Sequence, residues 1–137
     1  MDPSFGVAHF TLANALELKG EFDQAISEYQ QAIKLSGNLN GRIGSLGHAY
    51  ALAGRKDDAR QILKRLNELS RHGYVSPYHT ALIYVGLDEK EEAFAWLEKA
   101  YNDHYWMMAF LKVDPRLDPL RSDLRFQDLL RRERLDQ

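Results

Sequence analysis

Residues 18–25 read LKGEFDQA, residues 52–59 read LAGRKDDA and residues 86–93 read GLDEKEEA, so one pattern recurs twice at equal intervals along the chain. A glycine stands third in the first two copies, Asp88 takes its place in the third, and an alanine closes all three. Glycine readily adopts the left-handed backbone that ends a helix, and aspartate tolerates it better than most residues. Each copy therefore predicts a tight turn between two antiparallel helices, with Gly86 as an alternative, earlier helix end in the third.

Small residues follow the same period. Ala25, Ala59 and Ala93 are spaced at this same interval, and Ala100 follows Ala32 at twice the interval. Adjacent helices approach closely where their side chains are short. A period held through three copies is typical of a stacked helical repeat, and a period of about 34 residues suits a helical hairpin.

The three copies resemble the tetratricopeptide repeat family. That family places a large residue, a small one, the turn glycine and two alanines in a fixed order. The matching residues of the first copy are Leu12-Ala13, Leu16, Gly20, Ala25, Tyr29 and Ala32; those of the second are Leu46-Gly47, Tyr50, Gly54, Ala59, Leu63 and Leu66; those of the third are Thr80-Ala81, Tyr84, Asp88, Ala93, Leu97 and Ala100.

The resemblance implies an all-α, right-handed α-solenoid of three helical hairpins closed by C-terminal capping helices. The repeats are predicted at 5–37, 40–71 and 74–103, with the cap at 104–137. Residues 1–4 are predicted to end a preceding repeat or to be a linker, since Asp2-Pro3 resembles the dipeptide that often closes a repeat.

The tail does not continue the period of the repeats. Residues 104–112 have helical apolar spacing, and the Asp-Pro pairs at 114–115 and 118–119 are predicted to break the chain. Ser122 is the predicted N-cap of a last helix that runs to about Arg132. The aromatic residues of this region are predicted to pack in the core beneath the cap: Tyr101, Tyr105, Trp106 and Phe110.

Residues 112–130 are similar to the end of tetratricopeptide arrays in bacterial signalling and regulatory proteins. In such proteins the array often follows a DNA-binding, kinase or cyclase domain. The resemblance therefore implies that the chain is the closing part of a larger bacterial regulatory protein.

The composition excludes several kinds of chemistry. The chain has no cysteine, which excludes disulfides, thiolate catalysis and cysteine-ligated zinc. A formal net charge of −2 gives no overall attraction to nucleic acid or to an anionic membrane. No apolar stretch approaches the roughly 20 residues that span a bilayer, and the N-terminus lacks a signal-peptide pattern. A cytoplasmic protein that binds neither nucleic acid nor membrane is expected.

No motif indicates an enzyme. The five histidines form no HExxH motif or i,i+4 pair, and the glycines form no phosphate-binding loop. Ser45 and His48 share a helix face, but no third catalytic residue accompanies them. We therefore expect no catalytic residue, no metal site and no cofactor.

Binding is the function that the family implies, because the first helix of each hairpin lines the concave side of the solenoid. A protein or peptide partner is the expected ligand, bound as an extended peptide or as a helix. The predicted partner-binding residues are Phe10, Thr11, Asn14, Ser45, His48, Tyr78, His79 and Leu82. One branch of the family clamps a C-terminal carboxylate with cations and amides, and only Asn14 fits that pattern here.

Gly41 and Gly44 lie inside a predicted helix, where each glycine costs about 1 kcal/mol relative to alanine. They reflect either degeneracy of the repeat or a shallow pocket for a side chain of the partner. In the pocket hypothesis, leucine at either position abolishes binding and leaves the helix intact. The alternative to a binding module is a structural spacer or a self-association segment that forms homo-oligomers through exposed faces of its terminal repeats.

Overall fold

The computed structural model describes residues 3–36 and 40–135. These residues form helices and turns, and no strand occurs among them. The α-helices are α1 (Pro3–Leu18), α2 (Phe22–Ser36), α3 (Asn40–Leu52), α4 (Lys56–Leu69), α5 (Pro77–Gly86), α6 (Lys90–Asn102) and α7 (Leu124–Leu135). Two 3₁₀ helices, Trp106–Phe110 and Pro115–Leu120, lie between α6 and α7.

Consecutive helices pair, α1 with α2, α3 with α4 and α5 with α6, and α3 packs on both α2 and α5. This stacking of helix pairs confirms the predicted all-α helical-repeat fold. α1 begins at Pro3, slightly before the predicted start of the first repeat. The rest of the predicted junction before that repeat, Met1 and Asp2, lies outside the described residues.

The predicted turns are confirmed. Gly20, Gly54 and Asp88 all have left-handed backbone, with φ of +80°, +79° and +60°. In each turn the residue that follows donates its N–H to a carbonyl in the last turn of the preceding helix, as Glu89 does to Tyr84 at 3.0 Å. α5 ends at Gly86, which is the same distance from its turn residue as the ends of α1 and α3.

A fourth left-handed turn, which the sequence did not indicate, ends α6. His104 has φ of +54°, and Tyr105 donates its N–H to the Ala100 carbonyl at 3.1 Å. Beyond this turn, the second 3₁₀ helix packs on α5 and α7 packs on α6.

The tail differs from the predicted cap in its secondary structure. Residues 106–110 and 115–120 are 3₁₀ helices, and Pro119 lies inside the second of them. Every third side chain along this segment is buried: Met108, Leu111, Asp114, Leu117 and Leu120. That period follows from the three residues per turn of a 3₁₀ helix.

The same geometry contradicts the predicted core position of two aromatic residues. Trp106 is 66% exposed and Phe110 47% exposed, because neither falls on the inward-facing third of the 3₁₀ segment. Tyr101 and Tyr105 are half-buried. Met108 and Leu111 supply the buried contacts instead.

The predicted N-cap of the last helix was also wrong. Asp123, not Ser122, accepts the N–H of Arg125, at 2.9 Å, and α7 begins at Leu124. Aspartate carries a charge that suits the positive end of the helix dipole, so it is the better cap. The helix extends to Leu135, beyond the predicted end at Arg132.

The cap packs on α6 in the register of the repeat. Arg125 Nη1 lies 2.8 Å from Glu91 Oε1, and Arg132 Nη1 lies 3.0 Å from Glu98 Oε2. Both pairs join residues that are 34 apart in sequence. α7 therefore packs beside α6 as the second helix of a further repeat would, although the sequence of α7 no longer shows the repeat.

Candidate partner-binding cleft

An open cleft of about 630 Å³ lies between the first helices of the three pairs and the cap. Side chains from α1, α3 and α5 form one part of its wall, and residues around the two 3₁₀ helices form the other. Its lining residues are Phe10, Asn14, Glu17, Leu18, Gly41, Arg42, Ser45, His79, Tyr105, Trp106, Met107, Asp114, Pro115 and Arg116.

On the α1 side of the cleft, Tyr29 contacts two of the lining side chains and holds them in place. The Phe10 ring lies 5.7 Å from the Tyr29 ring, and the Arg42 guanidinium lies 5.4 Å from the centre of Phe10. Tyr29 donates its hydroxyl to Asn14 Oδ1 at 2.6 Å. Burial, with a further contribution from the charge of Glu17, raises the pKa of Tyr29 well above its ordinary value, so its hydroxyl remains a donor. Asn14 is thereby fixed with its amide nitrogen still available.

Glu17 and His48 form a buried polar pair beneath the cleft. His48 Nδ1 lies 3.2 Å from Glu17 Oε1, and the two residues are 2% and 8% exposed. A buried carboxylate needs such a partner, because an unpaired one would be strongly destabilising. The pair links α1 to α3, so His48 serves the packing of the helix stack.

His79 fills the space that the glycines of α3 leave. A Cβ placed on Gly44 would lie 2.7 Å from the His79 Cβ, and one on Gly41 would lie 3.1 Å from His79 Nε2. The space beside Gly44 is therefore filled by His79 of the same chain and is not open to a partner. Gly41 lines the cleft, so a pocket at Gly41 remains a prediction.

His79 is only 8% exposed, and its environment disfavours the charged imidazolium. Burial, reinforced by the charge of Arg116 and opposed by Asp114, lowers the pKa of His79 from 6.5 to about 4. Its Nε2 lies 3.3 Å from the Tyr105 hydroxyl, while its Nδ1 has no hydrogen-bond partner among the described residues. At neutral pH the cleft therefore contains a neutral imidazole.

Asp114 organises the cap side of the cleft. Its Oδ2 accepts the Tyr78 hydroxyl at 2.5 Å and Arg116 Nη2 at 2.8 Å, and its Oδ1 accepts Arg116 Nε at 3.0 Å. Arg121 Nη2 donates to the Asp114 carbonyl at 2.6 Å. Burial disfavours the carboxylate, but the hydrogen bonds from Arg116 and Tyr78 and the charge of Arg116 outweigh it, so the pKa of Asp114 lies below its ordinary value. The network holds the Arg116 side chain at the cleft wall.

A chain of aromatic rings continues from the cleft onto the surface of the cap. The Tyr105 and Trp106 rings are 5.9 Å apart, and Trp106 meets Phe110 edge to face at 6.0 Å. Tyr74, which is 60% exposed, lies 6.4 Å from Tyr105. The mouth of the cleft is therefore rich in exposed aromatic surface.

The eight predicted binding residues have different environments. Phe10, Asn14, Ser45 and His79 line the cleft, and Thr11 is exposed on α1 outside its lining. His48, Tyr78 and Leu82 are buried, at 2%, 0% and 0% exposure, and none of the three is among the lining residues. Ser45 is also buried, at 2% exposure. A binding role of the eight residues remains a prediction.

Sequence reasoning missed the residues that the cap contributes. Tyr105, Trp106, Met107 and Arg116 line the cleft, as does Leu18 at the end of α1. The sequence signal for the cap residues is the spacing of Met108, Leu111, Leu117 and Leu120 at multiples of three, which is typical of 3₁₀ structure and leaves Trp106 off the apolar stripe. Among the described residues, no group of three His, Asp or Glu side chains is placed to hold a metal ion. Within the same ranges, no helix is both long and apolar enough to cross a bilayer.

Comparison with known proteins identifies one family. The model of the tetratricopeptide repeat matches residues 6–39, which include most of α1, the Gly20 turn and α2. No curated protein and no solved structure matches the chain. The match bears out the resemblance to the tetratricopeptide repeat, and it covers the first of the three copies.

Proposed function

Because the chain contains a tetratricopeptide repeat, we propose that it binds a peptide or a helix of a partner protein in the cleft between its first helices and its cap. Tetratricopeptide repeats are in general protein–protein interaction modules and are typically not catalytic. The observation that carries the proposal is the open cleft of about 630 Å³ with an apolar mouth. Ligand sites are commonly concave and apolar, with a few fixed polar groups.

The residues proposed to contact the partner are those with accessible surface around this cleft. Leu18 and Trp106 are 69% and 66% exposed and stand at its two sides. Phe10 and Asn14 contribute a ring and an amide between them. Large exposed aromatic and aliphatic side chains are the usual anchors of such contacts.

Selection from a random-peptide display library against the full chain tests this function. Peptides that bind the native chain should lose binding to the double variant Leu18→Ser, Trp106→Ala. The matched control is Leu124→Ser with Val113→Ser, since these side chains are 84% and 67% exposed and do not line the cleft. Peptides that bind all variants equally, or no selected peptide at all, would overturn the proposal.

Self-association is a second candidate, supported by the outer face of α1. Phe5 and Leu12 are 58% and 47% exposed, and Ala8 and Ala15 are exposed at the intervening helical spacing. Apolar stripes of this kind commonly mark an interface. Sedimentation over a concentration series tests it: a mass that rises with concentration, and that Leu12→Glu returns to the monomer value, supports a homo-oligomer, whereas a constant monomer mass excludes one.

The wider setting is proposed from the sequence alone. We propose that the chain is part of a larger bacterial regulatory protein, on the likeness of residues 112–130 to the ends of such arrays, and that it works in the cytoplasm, because a chain without cysteine fits a reducing compartment. The reading frame upstream of Met1 in the natural gene tests the first statement, and fractionation of the native protein tests the second.

A further inference from the structure

The cleft of about 630 Å³ is open and has room for several residues of an extended segment, which in the polyproline II conformation rises about 3.1 Å per residue.

The charges at the cleft favour an uncharged occupant. Glu17 and Asp114 carry the negative charges of its lining, and Arg42 and Arg116 carry the positive ones. Asp114 and Arg116 are paired with each other. Glu17 lies against His48, and Arg42 lies over the Phe10 ring. The two carboxylates and the two guanidinium groups therefore balance, and each already interacts within the chain. The cleft thus has no excess charge that would attract a basic or an acidic segment.

Aromatic rings occupy both walls. Phe10 lies on the α1 side, and Tyr105 and Trp106 lie on the cap side, with Phe110 continuing the row outward. Grooves lined by aromatic rings bind proline-rich segments, whose polyproline II backbone is already extended and loses little entropy on binding.

Two donors in the cleft suit that backbone. A polyproline II segment has no internal hydrogen bonds, so its carbonyl groups accept from outside. The Asn14 amide nitrogen is available because its Oδ1 accepts from Tyr29. The Trp106 side chain is 66% exposed, so its indole N–H is accessible to a ligand.

We propose that the occupant of the cleft is an extended, uncharged, proline-rich segment of a partner protein, held between Phe10 and the Tyr105–Trp106 pair. This inference rests on the proposed function, since it names the class of ligand for the same cleft. It is narrower than that function in naming an extended, uncharged segment as the natural occupant.

NMR titration of the ¹⁵N-labelled full chain with N-acetylated, C-amidated decaproline tests the inference. The peptide should shift the indole signal of Trp106 more than that of Trp96, whose ring lies beside Lys99 on α6 and outside the cleft. The Trp106→Ala variant should bind decaproline at least about tenfold more weakly, whereas Leu124→Ser should bind it as the native chain does. A Gly-Ser peptide of the same length and with the same end groups should bind more weakly than decaproline.

An unchanged Trp106 signal, equal binding of the Gly-Ser peptide, or unchanged affinity of the Trp106→Ala variant overturns the proline inference. If the display selection instead yields helical or charged peptides that depend on Leu18 and Trp106, the proline inference fails and the proposed function stands. If neither decaproline nor any selected peptide binds in a cleft-dependent way, both fail.

Discussion

The Cβ of His79 occupies the position that a side chain on Gly44 would need, since a Cβ on Gly44 would lie 2.7 Å away from it. α3 and α5 can therefore approach as they do only while residue 44 is glycine. The close contact involves the root of the histidine side chain, which cannot swing aside without moving α5.

Gly44→Ala should lower the free energy of unfolding by about 1–3 kcal/mol, the usual cost of overpacking. Helix propensity alone predicts the opposite sign, because alanine is favoured over glycine inside a helix by about 1 kcal/mol. The sign of the change in the free energy of unfolding therefore distinguishes tight packing at Gly44 from simple degeneracy of the repeat. Urea unfolding followed by circular dichroism measures it.

Gly41→Ala is the matched control in the same helix. Its Cβ would meet only the ring end of His79, at 3.1 Å from Nε2, where a small rotation can relieve the contact. This variant should be close to the native chain in stability. A Gly44→Ala variant as stable as Gly41→Ala would contradict the close approach of α3 and α5.

His79 should also make stability depend on pH. Burial lowers its pKa in the folded chain from 6.5 to about 4. Between these pH values the unfolded chain binds a proton that the folded chain does not, so the stabilising contribution is complete above pH 6.5 and is lost as pH falls toward 4. The free energy of unfolding should change with pH by up to about 1.4 kcal/mol per pH unit. Urea unfolding at a series of pH values measures it.

The His79→Gln variant isolates this contribution, because glutamine keeps a polar side chain and does not titrate. Subtracting its stability profile from the native profile removes the effect of the other histidines. The difference should be flat above pH 6.5 and should decline below it. A difference that stays level down to pH 4 would show that the His79 ring is not held in a neutral form.

The sequence predicted the parts of the fold that depend on local geometry. Gly20, Gly54 and Asp88 mark their turns because left-handed backbone is costly for most residues, and that requirement is visible one residue at a time. The sequence predicted the structure of the cap less well. In the cap, Met108, Leu111 and Leu117 follow a three-residue period that a search for α-helical spacing does not detect.

In the candidate site, too, the sequence predicted positions within the repeat well and contacts with the cap poorly. Phe10 and Asn14 line the cleft as expected, since their position on the first helix follows from the repeat register. Tyr78 shares that register but is buried against Asp114, which is 36 residues further along the chain. Contacts with a cap outside the repeat cannot be derived from the period, so the register alone does not predict which groove residues remain exposed.

Asp88→Gly should raise the free energy of unfolding, by up to about 1 kcal/mol, because the residue has φ of +60° and glycine adopts that backbone without steric cost. Gly54→Ala is the converse variant. No atom lies within 4 Å of its added Cβ, so its cost is backbone strain alone, about 1–2 kcal/mol. Thermal unfolding of the two variants measures both effects. A lower melting temperature for Asp88→Gly would mean that the Asp88 side chain stabilises the turn by an interaction outside this explanation.

Asp114→Ala should be among the most destabilising single changes, by about 3–5 kcal/mol, because it leaves the mostly buried Arg116 guanidinium without its counter-charge. Tyr78→Phe removes only one of the hydrogen bonds to the same carboxylate, and Arg116 remains paired, so it should cost less, about 1–3 kcal/mol. Chemical unfolding of both variants, followed by the fluorescence of the chain's two tryptophans, measures the difference. The double variant Asp114→Ala, Arg116→Leu should recover part of the lost stability, because it removes the unpaired charge along with its partner. If the double variant is less stable than Asp114→Ala alone, Arg116 contributes through its packing against the cleft wall, and the ion pair is not what holds the cap in place.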